Sequence, residues 1–376
     1  MHLLCAALVL AFAASQPQLQ SVACHDDVNQ TCFLVQHPLL QGNITLRAAP
    51  QRHINVPVYH NGEQIPAAVL DSHHGQRYWH GVVTSPSAVP VGNVRVLRSC
   101  PDAGCQHPSY TGFVHLDNAH TLDIEFEPNT QRLQLAVANV STTHTLPLTA
   151  ACSSHPGHAV PLDELARHRR AGPASQQHTQ CLLALDCDAA FVVAWGNGGS
   201  VQSQAVHAAT KMLDIVFQVE AIYQYSRNLQ GILSLRVASI NVNSLLDVFA
   251  SQPLTATATV TATEPRSGLE YLDRYQAWLG QGRIARGSSS PAFNEVCLNH
   301  GFTHTNLNGV LGVAIQASAA SGVIGGLCAD RAINGRALNT GISSTMTSSN
   351  QAAAAWQIVL STAHVRMDAC RAMAYG

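Results

Sequence analysis

Lysine is almost missing from this chain of 376 residues: Lys211 stands alone against 19 arginines. Charged residues of all kinds make up only 11%, under half the usual level of about 25%. A chain held unfolded by its own charge is thereby excluded, and the 46% of hydrophobic residues is ample for packed cores. No sign of charge is in excess. The formal net charge is −2, which points to neither nucleic acid nor an anionic membrane as a partner. No CxxC pair occurs, so a zinc ribbon has no support. No Ser-His-Asp signature or nucleophile elbow is visible. Gly196-Asn197-Gly198-Gly199 lacks the Gly-Lys-Ser/Thr ending of a phosphate loop and reads as a strand-to-helix turn. No apolar run reaches the roughly 20 residues that span a bilayer.

What is present begins with an address label. Residues 3–14 are apolar and end in the small-x-small triplets Ala11-Phe12-Ala13 and Ala13-Ala14-Ser15. Residues 1–15 therefore read as a secretory signal peptide, and the chain as secreted, soluble and extracellular once it is removed. Of 11 cysteines, Cys5 leaves with the signal, and an oxidising compartment favours disulfides among the others. Three glycosylation sequons follow, at Asn29, Asn43 and Asn139. The 20 histidines include clusters at His73-His74 with His80 and at His155 with His158. In so histidine-rich a chain, such clusters arise from composition alone.

The remainder divides into two textures. Residues 22–150 read as β-rich, with short apolar stretches between Pro, Gly and Asn turns. The segment 120–126 alternates cleanly, placing Leu122, Ile124 and Phe126 on one face. Then comes Arg167-His168-Arg169-Arg170, followed by a Gly/Pro/Ser stretch. An R-x-R-R sequence is what a furin-type convertase cuts, and the loop behind it suits entry into a protease cleft. The bland alternative is the solvated end of a short helix, with cations at its negative pole.

Beyond that point strands and helices alternate. Residues 181–195 form a continuous apolar strand region. Val201, Ala205, Ala208, Met212, Ile215, Val219 and Ile222 fall on one helical stripe after Gly198-Gly199-Ser200. Residues 232–242 alternate as a strand. Leu269, Leu272, Tyr275 and Leu279 mark a second helix, stopped at Gly280. Residues 309–315 are a short apolar strand, and a last helix carries Trp356, Val359, Leu360 and Ala363. The pattern predicts an α/β layer fold of about 200 residues.

Several segments of this second half share an order with one family. They are residues 181–191, the helix ending at 219–224, 297–303 followed by 308–314, 325–328 and 338–342. Together they resemble the catalytic domain of the ADAM (adamalysin or reprolysin) zinc metalloproteases, nearest to the kuzbanian-like branch. The resemblance implies a metzincin-like mixed sheet with helices over 171–376. A β-rich prodomain over 16–170 would precede it. It implies zinc as cofactor and protein substrates, among them ectodomains of membrane proteins.

Family members carry H-E-x-x-H-x-x-G-x-x-H. Two histidines one helical turn apart bind zinc, a third completes the set, and the glutamate is the general base for zinc-bound water. Ser361-Thr362-Ala363-His364 resembles the approach to this motif, which makes His364 the first zinc ligand. After it the register is lost: Val365 stands at the glutamate, Asp368 at the second histidine, Arg371 at the glycine and Ala374 at the third histidine. The expectation is a domain incomplete through truncation or a frame shift within the zinc motif. The alternative function is a catalytically inactive ADAM-like secreted binding or regulatory protein.

The resemblance also implies a disulfide between Cys181 and Cys297. It makes Cys152 the candidate thiolate that holds the zinc before cleavage, although a disulfide with Cys100 or Cys105 suits Cys152 equally. Leu311, Gly312 and Val313 fall on the edge strand along which substrates bind as an added strand.

Overall fold

The computed structural model describes residues 18–22, 30–48, 56–66, 78–99, 107–116, 121–130, 132–137, 180–197, 199–225, 234–244, 267–280, 296–308, 311–314, 332–333, 336–337 and 339–346. The expected signal peptide (1–15), Arg167, Arg169, Arg170, Cys152, Asn29, Asn139, the helix expected around Trp356–Ala363 and His364 lie outside these residues. The chain forms two compact units, residues 1–50 with 76–140, and 51–75 with 141–376.

The first unit is all strand among its described residues. It comprises β1 (Gln18–Val22), β2 (Gln30–His37), β3 (Leu40–Ala48), β6 (Tyr78–Thr84), β7 (Pro90–Ser99), β8 (Ser109–Leu116), β9 (Thr121–Glu127) and β10 (Arg132–Val137). These eight join in chain order as antiparallel neighbours. Alternation explains the sheet. Leu122, Ile124 and Phe126 of β9 are buried, while the residues between them are half-buried. Their face packs with Phe33, Ile44, Leu46, Val94, Val96 and Tyr110 into one core. Tyr110 stacks on Phe126 at a ring separation of 4.7 Å, and Phe33 meets Phe126 edge-on at 5.0 Å. The first and last strands return close to one another, so the sheet curls around this core in the manner of an up-and-down barrel. His115 of β8 is held down to about 4 by burial and by the Arg95 guanidinium, so the imidazole is neutral at physiological pH. Asn43 sits on β3, facing β6 across the register pair Asn43–Thr84.

The second unit is a mixed sheet with helices. Its strands are β11 (Gln180–Cys187), β12 (Ser234–Val242), β13 (Leu298–Thr303), β14 (Gly312–Ala314), β17 (Thr340–Ser344) and a hairpin from early in the chain, β4 (Val58–His60) with β5 (Glu63–Gln64). The order across the sheet is β14, β17, β13, β11, β12, β4, β5. The neighbours from β17 to β4 run parallel; β14 and β5 run antiparallel at the two ends. A separate short ribbon pairs β15 (Ala332–Ile333) with β16 (Arg336–Ala337).

Among the described residues, three helices accompany this sheet: α1 (Ala189–Trp195), α2 (Val201–Tyr225) and α3 (Gly268–Gly280). The stripe expected for α2 is buried at Ala205, Ala208, Met212, Ile215 and Val219, whereas Val201 at its start is 59% exposed. Burial extends well beyond the stripe, to Val206, Ala209, Leu213, Val216 and Phe217, which marks α2 as an interior helix. Ser200 caps it: its hydroxyl accepts from the Ser203 amide at 3.2 Å.

Residues 181–195 are not one strand. The strand stops at Cys187, and Asp188 starts a helix by accepting from the Phe191 amide at 2.9 Å. A short apolar run has no periodicity that separates strand from buried helix, and the cap residue decides the outcome. Gly196-Asn197 therefore follows a helix and leads to another helix, rather than linking a strand to one. Residues 56–66, early in the chain, fold into the second unit.

Candidate functional site

Among the described residues, β14 is the last strand at one end of the second unit's sheet. It runs antiparallel to β17 in the register Gly312–Ser343, Val313–Ile342 and Ala314–Gly341. The Ser344 amide donates to the Leu311 carbonyl at 2.8 Å. Backbone direction alternates along an antiparallel strand, so Leu311 and Val313 turn their amides and carbonyls to β17. Those of Gly312 and Ala314 point to the outer side. Of the expected trio Leu311, Gly312 and Val313, only Gly312 thus presents its backbone outward, and Ala314 joins it. Register decides this, and register is not written in the sequence of three residues.

The strand rests on α3. Val313 packs with Tyr271, Leu272, Tyr275, Leu279, Leu307 and Ile342 in one cluster. The helix comes so near that a Cβ on Gly268 would lie 2.8 Å from the Val313 side chain. Glycine at the helix start is what permits this approach.

The parallel strands also carry a set of buried polar side chains at both of their ends. Asp186 of β11 accepts from the Tyr275 hydroxyl at 2.5 Å and from the Asn241 amide at 2.9 Å. Asp188 accepts from the Thr303 hydroxyl at 2.6 Å as well as from the Phe191 amide. His300 meets the Ser343 hydroxyl at 3.0 Å, and Gln276 donates to Thr340 at 3.0 Å. Asn299 and Asn339 pair at 3.1 Å. All these groups are buried, so each bond replaces water that the group lost on folding. Sequence reasoning missed this set. Its one signal is a polar residue at or next to the end of each strand: Asp186, Asn241, Thr303 and Ser343.

The exit from β17 is pinned by the same kind of contact. The Thr345 hydroxyl accepts from the Trp195 indole at 3.0 Å and meets His304 Nδ1 at 2.7 Å. The Thr345 amide donates to the Thr303 carbonyl at 2.9 Å. The Ser344 hydroxyl donates to the Thr305 carbonyl at 2.6 Å, and the Met346 amide donates to that hydroxyl at 3.0 Å. Burial lowers the His304 pKa, which keeps this imidazole neutral and able to accept. Lys211, the sole lysine, places its ammonium 4.2 Å from the centre of the Trp195 ring. The chain therefore enters the segment beginning at 347 from a fixed point, tied to α1 and β13.

Cys181 and Cys297 are joined by a disulfide, with their Cα atoms 5.3 Å apart. The bridge ties the start of β11 to the residue preceding β13. Cys187 is a buried thiol whose pKa is pushed well up by burial and by Asp188. Among the described residues no group of three or more His, Cys, Asp or Glu side chains is arranged to hold a metal ion. No helix among them is long and apolar enough to cross a membrane. His364, Cys152 and the arginines at 167, 169 and 170 lie outside the described residues.

A reprolysin-type family model, described as metallo-peptidase family M12, matches residues 177–364. No curated protein matches the chain. The match opens just before β11, takes in every strand from β11 to β17 and all three helices, and ends at His364. Metallopeptidases of this kind hold a metal, typically zinc. Half of the chain is covered by that match, and the mixed α/β sheet agrees with it: the chain belongs to metallo-peptidase family M12.

Proposed function

We propose that this chain is a secreted pro-form of an ADAM-type metalloendopeptidase, nearest to the kuzbanian-like branch. Residues 16–170 act as its prodomain, and a furin-type convertase cuts after Arg170. The second unit receives extended polypeptide, ectodomain segments of membrane proteins among them, as an added strand along β14. The single observation that carries the reading is the edge itself. The outward backbone groups of Gly312 and Ala314 belong to the strand paired with β17, whose chain exit is fixed at Thr345 and from which the family match runs on to His364. Recognition through backbone groups asks little of the substrate's side chains, which suits a protease that acts on varied proteins.

When bound, zinc would supply the Lewis acid and the activated water of peptide hydrolysis. His364 is the one family-matched ligand in the sequence, with Asp368 four positions beyond it. Two such donors do not complete the three-ligand set of a catalytic zinc, and Val365 stands where a general base is needed. These residues favour a second reading: a scaffold that keeps the substrate edge without the catalyst, and so binds or shields polypeptides. Zinc content of the purified secreted chain, with and without His364→Ala, separates the two. About one zinc per chain, lost in the variant together with chelator-sensitive peptide cleavage, supports the enzyme. No zinc, with retained binding of an extended peptide, supports the scaffold.

A further inference from the structure

The far end of the same sheet carries a feature that the family reading does not use. β12 is not left as an edge. A hairpin from residues 56–66, far ahead of it in the chain, lies against it as a parallel strand in the register Ile240–Val58, Asn241–Tyr59 and Val242–His60. Backbone bonds run both ways. The Ile240 amide donates to the Pro57 carbonyl at 3.0 Å, and the Asn61 amide donates to the Val242 carbonyl at 2.9 Å.

The hairpin is built for its place. Asn61 and Gly62 both have positive φ, 50° and 90°, the two-residue turn that Asn-Gly favours most. The Ile65 amide then donates back to the Val58 carbonyl at 2.8 Å. Val56, Val58, Tyr59 and Ile65 are all buried.

A side-chain latch closes the tip. Asn61 Oδ1 accepts from the Ser244 amide at 2.9 Å, and its Nδ2 donates to the Ser244 hydroxyl at 2.9 Å. His60 Nε2 lies 2.7 Å from that hydroxyl and 3.1 Å from Asn61 Nδ2. His60 and Asn61 thus meet Ser244, 184 and 183 residues further along the chain, at the end of β12.

We propose that the outer edge of β12, with Ser244, is a strand-docking site for the hairpin of residues 56–66. The hairpin holds there without chain continuity between the two units. The consequence follows from connectivity. The hairpin leaves the first unit after β3 and returns at β6, and these two strands are neighbours in the first unit's sheet. The first unit cannot depart without drawing the hairpin off β12. A cut after Arg170 therefore leaves the N-terminal fragment clasped to the second unit. The docking itself is independent of the proposed cleavage; only its biological setting rests on that reading.

The test uses the full secreted chain, cut in one sample by furin and in another by a site-specific protease whose recognition sequence replaces residues 167–170. Failure of furin to cut would remove the cleavage reading and leave the second sample to judge the docking. The expected result is co-elution of the two fragments in size exclusion after complete cutting. Asn61→Pro, which deletes the amide donated to Val242 and cannot adopt positive φ, should release the N-terminal fragment. If that variant is not secreted, Ser244→Ala decides, with an expected rise of about tenfold in dissociation rate from the loss of the hydroxyl's contacts with Asn61 and His60. Separation of the wild-type fragments, or dissociation unchanged in Ser244→Ala and Asn61→Pro, would overturn the proposal.

Discussion

The two ends of the second unit's sheet meet the same physical problem with opposite solutions. A terminal strand shows a row of unpaired amides and carbonyls, which invites any passing strand. At the β12 end the chain supplies its own cover: a hairpin with an Asn-Gly turn, four buried side chains and a polar latch on Ser244. At the β14 end the last strand is short, and Gly312 and Ala314 turn their backbone groups outward. One edge is fitted for a single known sequence; the other, in the function proposed above, would serve many. The difference teaches where selectivity sits. Side-chain contacts specify the occupant of β12, and backbone contacts leave the occupant of β14 open.

The strongest way to break this comparison is to loosen the sheet that carries both edges. Replacing Cys181 and Cys297 together by serine opens a covalent loop with a sequence separation of 116. We expect a loss of about 2–5 kcal/mol in chemical unfolding of the second unit, with both edges lost at once. A stability unchanged by the double substitution would show that the buried polar side chains alone hold β11 and β13 in place.

A narrower break removes one edge and spares the other. Ala314→Pro deletes an outward amide without touching a bond to β17, and proline is tolerated on edge strands. Binding of an extended peptide should weaken about tenfold, read by fluorescence anisotropy, while hairpin docking on β12 stays as it was. Equal weakening at both edges would mean that the variant damages the fold instead.

Smaller still is the expected effect of Gly268→Ala. The new Cβ would sit 2.8 Å from the Val313 side chain, which must yield. A cost of about 1 kcal/mol in thermal unfolding is expected, with a modest change in peptide affinity at β14 only. No change at all would show that the start of α3 yields freely.

The mildest test sharpens the β12 end through pH. The Asn61 amide is oriented by the Ser244 N–H, so its Nδ2 donates to His60 Nε2, which must be unprotonated. Burial accordingly lowers the His60 pKa, and Glu63 opposes the shift in part. A folded-state pKa below the free value means that undocking takes up a proton. Docking is then fully present above the free value of about 6.5 and weakens as pH falls through it. Faster dissociation at acid pH, flattened in His60→Gln, is the expected observation; a pH-independent rate in the wild type would refute it.

Much of the fold was legible in the residues. Alternation placed β9 and its buried face. The helical stripe placed α2, and Leu272, Tyr275 and Leu279 placed α3 up to Gly280. These are local patterns, set by each element's own period. What stayed hidden was non-local or locally ambiguous. The apolar run through 195 contains no period that separates β11 from α1, and only the Asp188 cap divides them. Asn61-Gly62 is a hairpin signal in plain sight, yet nothing near it names β12 as its partner, because that partner is fixed by tertiary pairing alone. Asp186 and Tyr275 find each other across 89 positions in the same way. For the candidate site, the position of the edge strand was readable but its outward residues were not.

One contact has a practical consequence. Since Lys211 is the only lysine, an amine-directed dye has a single side-chain target in the entire chain. That target lies on the Trp195 ring, whose indole is bonded to Thr345 where the chain leaves β17. Labelling at one amine would therefore install an optical reporter, quenched or relieved by the indole, at the doorway to the segment that ends in His364.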